Sequence, residues 1–229
     1  MTVHRKQPGR TIEWGGLTLS HPIDVLVDLG LTLDHDDLVI VLDHLLGPAP
    51  VHRTMSRAEI AESLEGHRGR YGVVAVRKAL VDARARVESP GETRTRLLLH
   101  RAGFPESVPN LRVADPDDPS RHYRIDGAFE QWRIGWEYQG DIHRRDKQRW
   151  RQDLRRRDAL ASIGWDLRFL TAQDIEAPGE FLSALRRSFL RAGAPAPEPT
   201  AWVGGDAGGL GRSNGPRHRP RRLPYRGSS

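Results

Sequence analysis

Apolar positions follow two kinds of rhythm along this chain, and the texture changes near residue 89. Between residues 21 and 88 they recur at helical spacing. Ile23, Val25, Leu26 and Leu29 follow Pro22, which suits a first helical turn because its missing N–H would find no partner there. Leu38, Val39, Leu42 and the pair Leu45-Leu46 predict a second helix. Ser56 with Glu59 is a capping box that opens a third, Arg57–Glu65. The stretch 66–72 breaks it, and Val73, Val76, Leu80 and Ala83 predict a fourth helix to about Val87. Residues 1–20 read as an irregular segment with one short strand through Ile12-Glu13-Trp14 and Leu17-Thr18-Leu19.

Residues 89–192 begin with a helix and pass through two alternating strands. A long basic helix, a short apolar strand and a last helix from Pro178 to Leu190 follow. Such an order predicts an α/β domain around one mixed sheet flanked by helices, preceded by a small all-α module. In 123–130, Tyr123, Ile125 and Phe129 are expected on one face and Arg124, Asp126 and Glu130 on the other. In the next strand Trp132, Ile134, Trp136 and Tyr138 oppose Arg133, Gly135, Glu137 and Gln139. A tight hairpin at Glu130-Gln131 would pair Phe129 with Trp132 and Asp126 with Gly135. Glu137 would then lie diagonally from Asp126 on the same face, about 7–8 Å away at Cα. Gly135 would leave room for an ion between them.

Composition narrows the class. The 229 residues allow one ordinary domain plus a smaller module or tail. From Gly193 onward few large apolar groups remain, so a disordered basic Pro/Gly/Arg tail is expected over 193–229. With no cysteine, disulfides and thiolate metal sites are excluded. No apolar run approaches the roughly 18 residues a membrane helix needs, and the N-terminus lacks the apolar core of a secretory signal. A soluble, cytoplasmic protein without membrane contact is the expectation. Net charge is +6, but six arginines against Glu198 and Asp206 place +4 of it in the tail. Local charge therefore matters more than the total.

Two carboxylates on one sheet face, Asp126 and Glu137, suit Mg²⁺ that also binds substrate phosphate, with Mn²⁺ as a substitute. The plainer reading is an outer face on which these acids pair with Arg124 and Arg133. Ser89-Pro90-Gly91-Glu92 is a good helix start, and it also places the Glu92 carboxylate near the sheet. Gly140-Asp141-Ile142-His143 follows the second strand, where His143 could exchange a proton at the site. Between residues 144 and 157, Arg144, Arg145, Lys147, Arg149, Arg151, Arg155, Arg156 and Arg157 stand against Asp146 and Asp153, a local +6 that would attract DNA. The plainer reading there is a solvated face with Trp150, Leu154 and Ala161 turned to the core.

Several of these runs occur together in a known family. Ser89-Pro90-x-Glu92-Thr93-Arg94-x-Arg96, Arg124-Ile125-Asp126 and Glu137-Tyr138-Gln139-Gly140-x-x-His143 resemble the very-short-patch-repair-like branch of the PD-(D/E)XK endonuclease superfamily. Asp153, Arg156, Leu160 and Gly164-Trp165 match its closing D-x-x-R-x-x-x-L-x-x-x-G pattern. The resemblance covers about residues 89–175. It implies a restriction-endonuclease-like fold and metal-dependent DNA cutting. Asp126 and Glu137 would be metal ligands, Glu92 the helix-borne acid and His143 the site histidine. Gln139 would position the attacking water, with His143 or Glu92 taking its proton. Arg144, Arg145, Lys147, Arg151, Arg155 and Arg156 would contact DNA phosphates, with no base readout implied. The chain departs from the pattern at Gln139, where the superfamily often has lysine and this branch commonly aspartate. An amide orients water but cannot deprotonate it. The alternative is a catalytically silent DNA-binding regulator, since abortive-infection antitoxin-like proteins are similar in placing a helical module before such a domain. A plain interaction module is a third reading.

Overall fold

The computed structural model describes residues 9–47, 55–140 and 147–202, with 147–150 and 201 by backbone alone. A two-stranded hairpin, β1 (Thr11–Trp14) and β2 (Leu17–Ser20), leads into four helices. These are α1 (Pro22–Leu29), α2 (His35–Leu46), α3 (Arg57–Glu65) and α4 (Val73–Asp82). Pro22 occupies the first turn of α1, and Ser56 and Glu59 cap α3 reciprocally, as their sequence positions predict. The α4 helix ends at Asp82, short of the expected Val87. Ile23, Leu26, Leu38, Leu42, Ile60, Leu64 and Val76 bury one face of each helix in a common core.

The second half is a mixed four-stranded sheet of order β3-β4-β5-β6 with helices on both sides. Its strands are β3 (Val108–Ala114), β4 (His122–Phe129), β5 (Ile134–Tyr138) and β6 (Asp166–Leu170). β3–β4 and β4–β5 are antiparallel, while β5–β6 is parallel and joined by α6 (Lys147–Ser162). One face packs on α5 (Pro90–Arg101), α7 (Ala172–Glu176) and α8 (Gly179–Arg191) through Leu98, Phe129, Ile134, Trp136, Leu182 and Phe189. Leu160 of α6 and Trp165 cover the other face over Ile125 and Ala128. β3 is the strand that hydrophobic alternation did not predict. Pro109 and Asn110 interrupt its pattern, and an edge strand tolerates both.

Helix α5 belongs to both halves. Leu97 completes the helical core, whereas Leu98 and Leu99 enter the sheet core. Asp43 of α2 is fully buried and accepts from Thr93 Oγ1 at 2.8 Å, Arg96 Nη2 at 3.2 Å and the Arg84 N–H at 2.6 Å. Arg94 pairs with Asp37, and Arg101 with Asp36. The boundary expected at residue 89 is therefore a shared helix rather than a linker.

Order also extends past residue 193. Ala194 and Trp202 are buried in the sheet core, and the Trp202 ring stacks on Phe104 with centroids 5.9 Å apart. Residues 193–202 thus belong to the folded unit, because one indole supplies the apolar area that the Pro/Ala composition obscures. The rest of the expected tail, 203–229, lies outside the described residues. Among the described residues no helix is long and apolar enough to cross a membrane.

A candidate carboxylate site where two strands part

The β4–β5 ladder pairs Phe129 with Ile134, Ala128 with Gly135 and Gly127 with Trp136. It is shifted by two residues from the expected register. The connection is a 3-10 turn, Glu130–Trp132, closed by Arg133 in the left-handed region at φ 51°, not a two-residue hairpin. A shift of two preserves parity as far as the ladder runs, and one further step would set Asp126 across from Glu137 rather than diagonal to it. The ladder stops at Gly127, and beyond it the Tyr138 N–H donates to Asp126 Oδ2 at 3.0 Å.

The expected alternation in β4 fails at this point. Tyr123 and Ile125 face α6 as a pair, but Phe129 lies in the opposite core while Ala128 joins Ile125. The break falls at Asp126-Gly127. Across from it on β3, Asn110 takes φ 49° and interrupts the pairing between Pro109↔Gly127 and Leu111↔Ile125. Glycine at 127 admits the Trp136 indole, which a Cβ would meet at 2.1 Å. Irregularities of this kind re-aim side chains beside functional sites. Gly135 does not leave room for an ion as expected. Leu167 and Ile125 fill that space, at 2.7 and 2.8 Å from where a Cβ would stand.

Glu92 approaches from the first turn of α5, which rests on β5 because Gly91 has no side chain. A Cβ there would meet the Tyr138 ring at 2.2 Å. Glu92 is buried and accepts from the Glu88 N–H at 3.0 Å, Ser89 Oγ at 2.9 Å and Asn110 Nδ2 at 2.8 Å. Ser89 caps the helix, its Oγ accepting from the Glu92 N–H at 3.2 Å. The return bond of the expected capping box goes to the Glu88 N–H instead, and the Glu92 charge acts on Asp126. Burial, followed by the charge of Glu92, pushes the Asp126 carboxyl up to about 6. Glu137 adds to this, while the Tyr138 N–H and Arg124 oppose it.

Glu137 is held from the other side by Arg156 of α6, whose Nη1 donates to Oε2 at 3.0 Å and whose Nη2 donates to Oε1. Nη2 also donates to the Arg124 carbonyl. Burial works against the Arg156 charge, yet the bonds and charge of Glu137, with Asp126 and Asp153, hold it above the usual guanidinium range. Arg156 was expected on the open DNA face. Its guanidinium instead turns inward to Glu137, because Arg156 stands one helical turn before Leu160, the α6 residue buried over the sheet. Arg124 and Arg133 do not take the acids as the plainer reading had it. Arg124 pairs with Glu88 at 2.7 Å, and Arg133 donates to the Ile163 carbonyl at 2.8 Å.

The remaining expected residues divide by position. Gln139 follows β5 with an exposed side chain, and its N–H donates to the Leu170 carbonyl at 2.7 Å. Arg151 and Arg155 are exposed on α6. His143, Arg144 and Arg145, and the side chain of Lys147, lie outside the described residues. Leu154 and Ala161 are exposed, and Leu160 takes the core place expected of them. Asn110, which holds Glu92, was not expected; an asparagine beside proline in a strand was its only signal.

Oxygen donors of Asp126 and Glu137 suit a hard divalent cation, whose charge would favour the ionised Asp126 that burial, and then Glu92, disfavour. Among the described residues, however, no group of three or more His, Asp or Glu is arranged to hold one. Glu92 is engaged by three donors and Glu137 by Arg156, so the pair fits a cation only if Arg156 yields its partner.

Comparison with known proteins finds no matching family and no matching solved structure. The chain is 27% identical over 202 residues to uncharacterized protein MT2308 of Mycobacterium tuberculosis (strain CDC 1551), covering 84% of this chain and 69% of that protein. The same figures hold for uncharacterized protein Rv2248 of strain H37Rv.

Proposed function

We propose that this protein is a metal-dependent DNA endonuclease of the very-short-patch-repair-like PD-(D/E)XK type, with a restriction-endonuclease-like fold, acting in the cytoplasm. One observation carries the reading. Where β4 and β5 part, burial first, and then the charges of Glu92 and Glu137, hold the Asp126 carboxyl up at about 6. Acids whose environment sets them apart in this way mark candidate functional sites.

In this reading Asp126 and Glu137 hold Mg²⁺ (or Mn²⁺), which when bound polarises a phosphoryl oxygen and acidifies water. Gln139, exposed at the end of β5, orients that water through its amide. His143 takes the proton. Glu92 serves better as a fixed negative charge than as a base, since its oxygens already accept three hydrogen bonds. Arg151 and Arg155, exposed on α6, grip flanking phosphates together with Arg144, Arg145 and Lys147.

A silent DNA-binding regulator, antitoxin-like in layout, is the second reading. Gln139 in place of an acid or lysine favours it, as does the Arg156 clasp on Glu137. Incubating pure protein with plasmid and linear DNA and Mg²⁺ or Mn²⁺ separates the two. Metal-dependent cutting supports the nuclease, salt-sensitive binding without cutting supports the regulator, and neither outcome supports a plain interaction module.

A further inference from the structure

Glu137 and Arg156 form a closed clasp at the heart of the site. Both carboxylate oxygens accept from one guanidinium, and the same guanidinium is pinned by the Arg124 carbonyl of the neighbouring strand. The pair is well shielded, with 22% of the Arg156 side chain and 13% of that of Glu137 exposed. A planar guanidinium fork matches a carboxylate in two-point contact, and such charge-assisted pairs are the strong ones. The charge of Asp126 also acts on Arg156, so this cation bears on both acids of the site.

We propose that Arg156 is a resident counter-cation of the carboxylate site, so that a divalent ion gains Glu137 only by displacing the guanidinium. The idea rests on the metal-binding reading and adds a regulator to it. The two Glu137 oxygens cannot satisfy the in-plane fork of Arg156 and a small ion at full strength together. Ion affinity is then set by release of the clasp. A merely structural Arg156, stapling α6 to β5, would have the opposite consequence: removing it would leave Glu137 less well placed and ion binding weaker or unchanged.

Mn²⁺ alone is the probe, titrated calorimetrically into the full chain without DNA, together with the Mn²⁺-induced rise in Tm. Arg156→Gln is expected to bind Mn²⁺ about tenfold more tightly than wild type, the scale of one lost charge-assisted hydrogen bond. It should also melt lower than wild type without Mn²⁺ and show the larger rise with it. Arg156→Lys keeps the charge but not the two-point contact, and its affinity should fall between the two. Should the glutamine variant fail to fold, the lysine variant decides alone, by binding tighter than wild type. Equal or weaker binding in the variants, with wild type still binding, overturns the counter-cation and leaves the metal reading intact. Mn²⁺ binding to none of the three overturns both.

Discussion

The backbone N–H of Tyr138 donates to the Asp126 carboxylate across 3.0 Å, so one chemically important acid is oriented by the strand that carries the other. Tyr138 is itself set by α5, whose Gly91 lies flat against its ring. Helix start, strand end and carboxylate therefore form one mechanical unit.

That unit is held at a cost to stability. The Asp126 carboxyl is raised from 3.8 to about 6 by burial and by Glu92, so the folded protein binds this proton more tightly than the unfolded chain. Its stabilising contribution is fully present below pH 3.8 and is lost as pH rises through 6. Asp126→Asn keeps an oxygen for the Tyr138 N–H and removes the charge. Without divalent ions it should be more stable than wild type at pH 7, by up to about 3 kcal/mol. Urea unfolding from pH 4 to 7.5 checks this: the gap should close at the acid end.

Gly91→Ala tests the contact that sets Tyr138. The added methyl meets the ring inside van der Waals distance, so the helix start or the partly buried ring must shift. A loss of about 1–3 kcal/mol in chemical denaturation is expected, as for other overpacked sites.

Asp43→Ala tests the joint between the helical module and the sheet domain. It strips Arg96 of its carboxylate at a buried position where Arg96 Nε already lacks a partner. Breaking a buried pair by removing one side costs about 3–5 kcal/mol. Because α5 serves both cores, unfolding should remain a single transition at a lower midpoint; two separate transitions would mean the halves are independent.

Exposed arginines on α6 give a prediction about DNA. Arg151→Ala and Arg155→Ala should weaken binding alike for unrelated sequences, and each should lower the slope of log affinity against log salt by about 1. Fluorescence anisotropy at several salt concentrations measures both.

Much of this arrangement was legible in the residues. The Ser56–Glu59 box, the proline opening α1 and the apolar rhythm of β5 depend on local chemistry, which a sequence displays directly. Asp126 and Glu137 are near enough for their charges to act on each other, although the ladder expected to pair them stops at Gly127. What stayed hidden was non-local. Nothing near Arg156 announces that it turns inward to Glu137, and nothing near Trp202 announces that it closes a core built from Phe104 and Phe189. β3 was hidden for a different reason: Pro109 and Asn110 are poor strand residues that only an edge position and a left-handed kink accommodate.

The most direct trial is the rate at which purified protein nicks supercoiled plasmid in Mg²⁺ or Mn²⁺, set beside Asp126→Ala and Glu137→Ala. Loss of a metal ligand removes several kcal/mol of transition-state stabilisation, so each variant should fall about a hundredfold or more. Nicking that proceeds equally well in both variants, or that never depends on the metal, would contradict the assignment of these two acids.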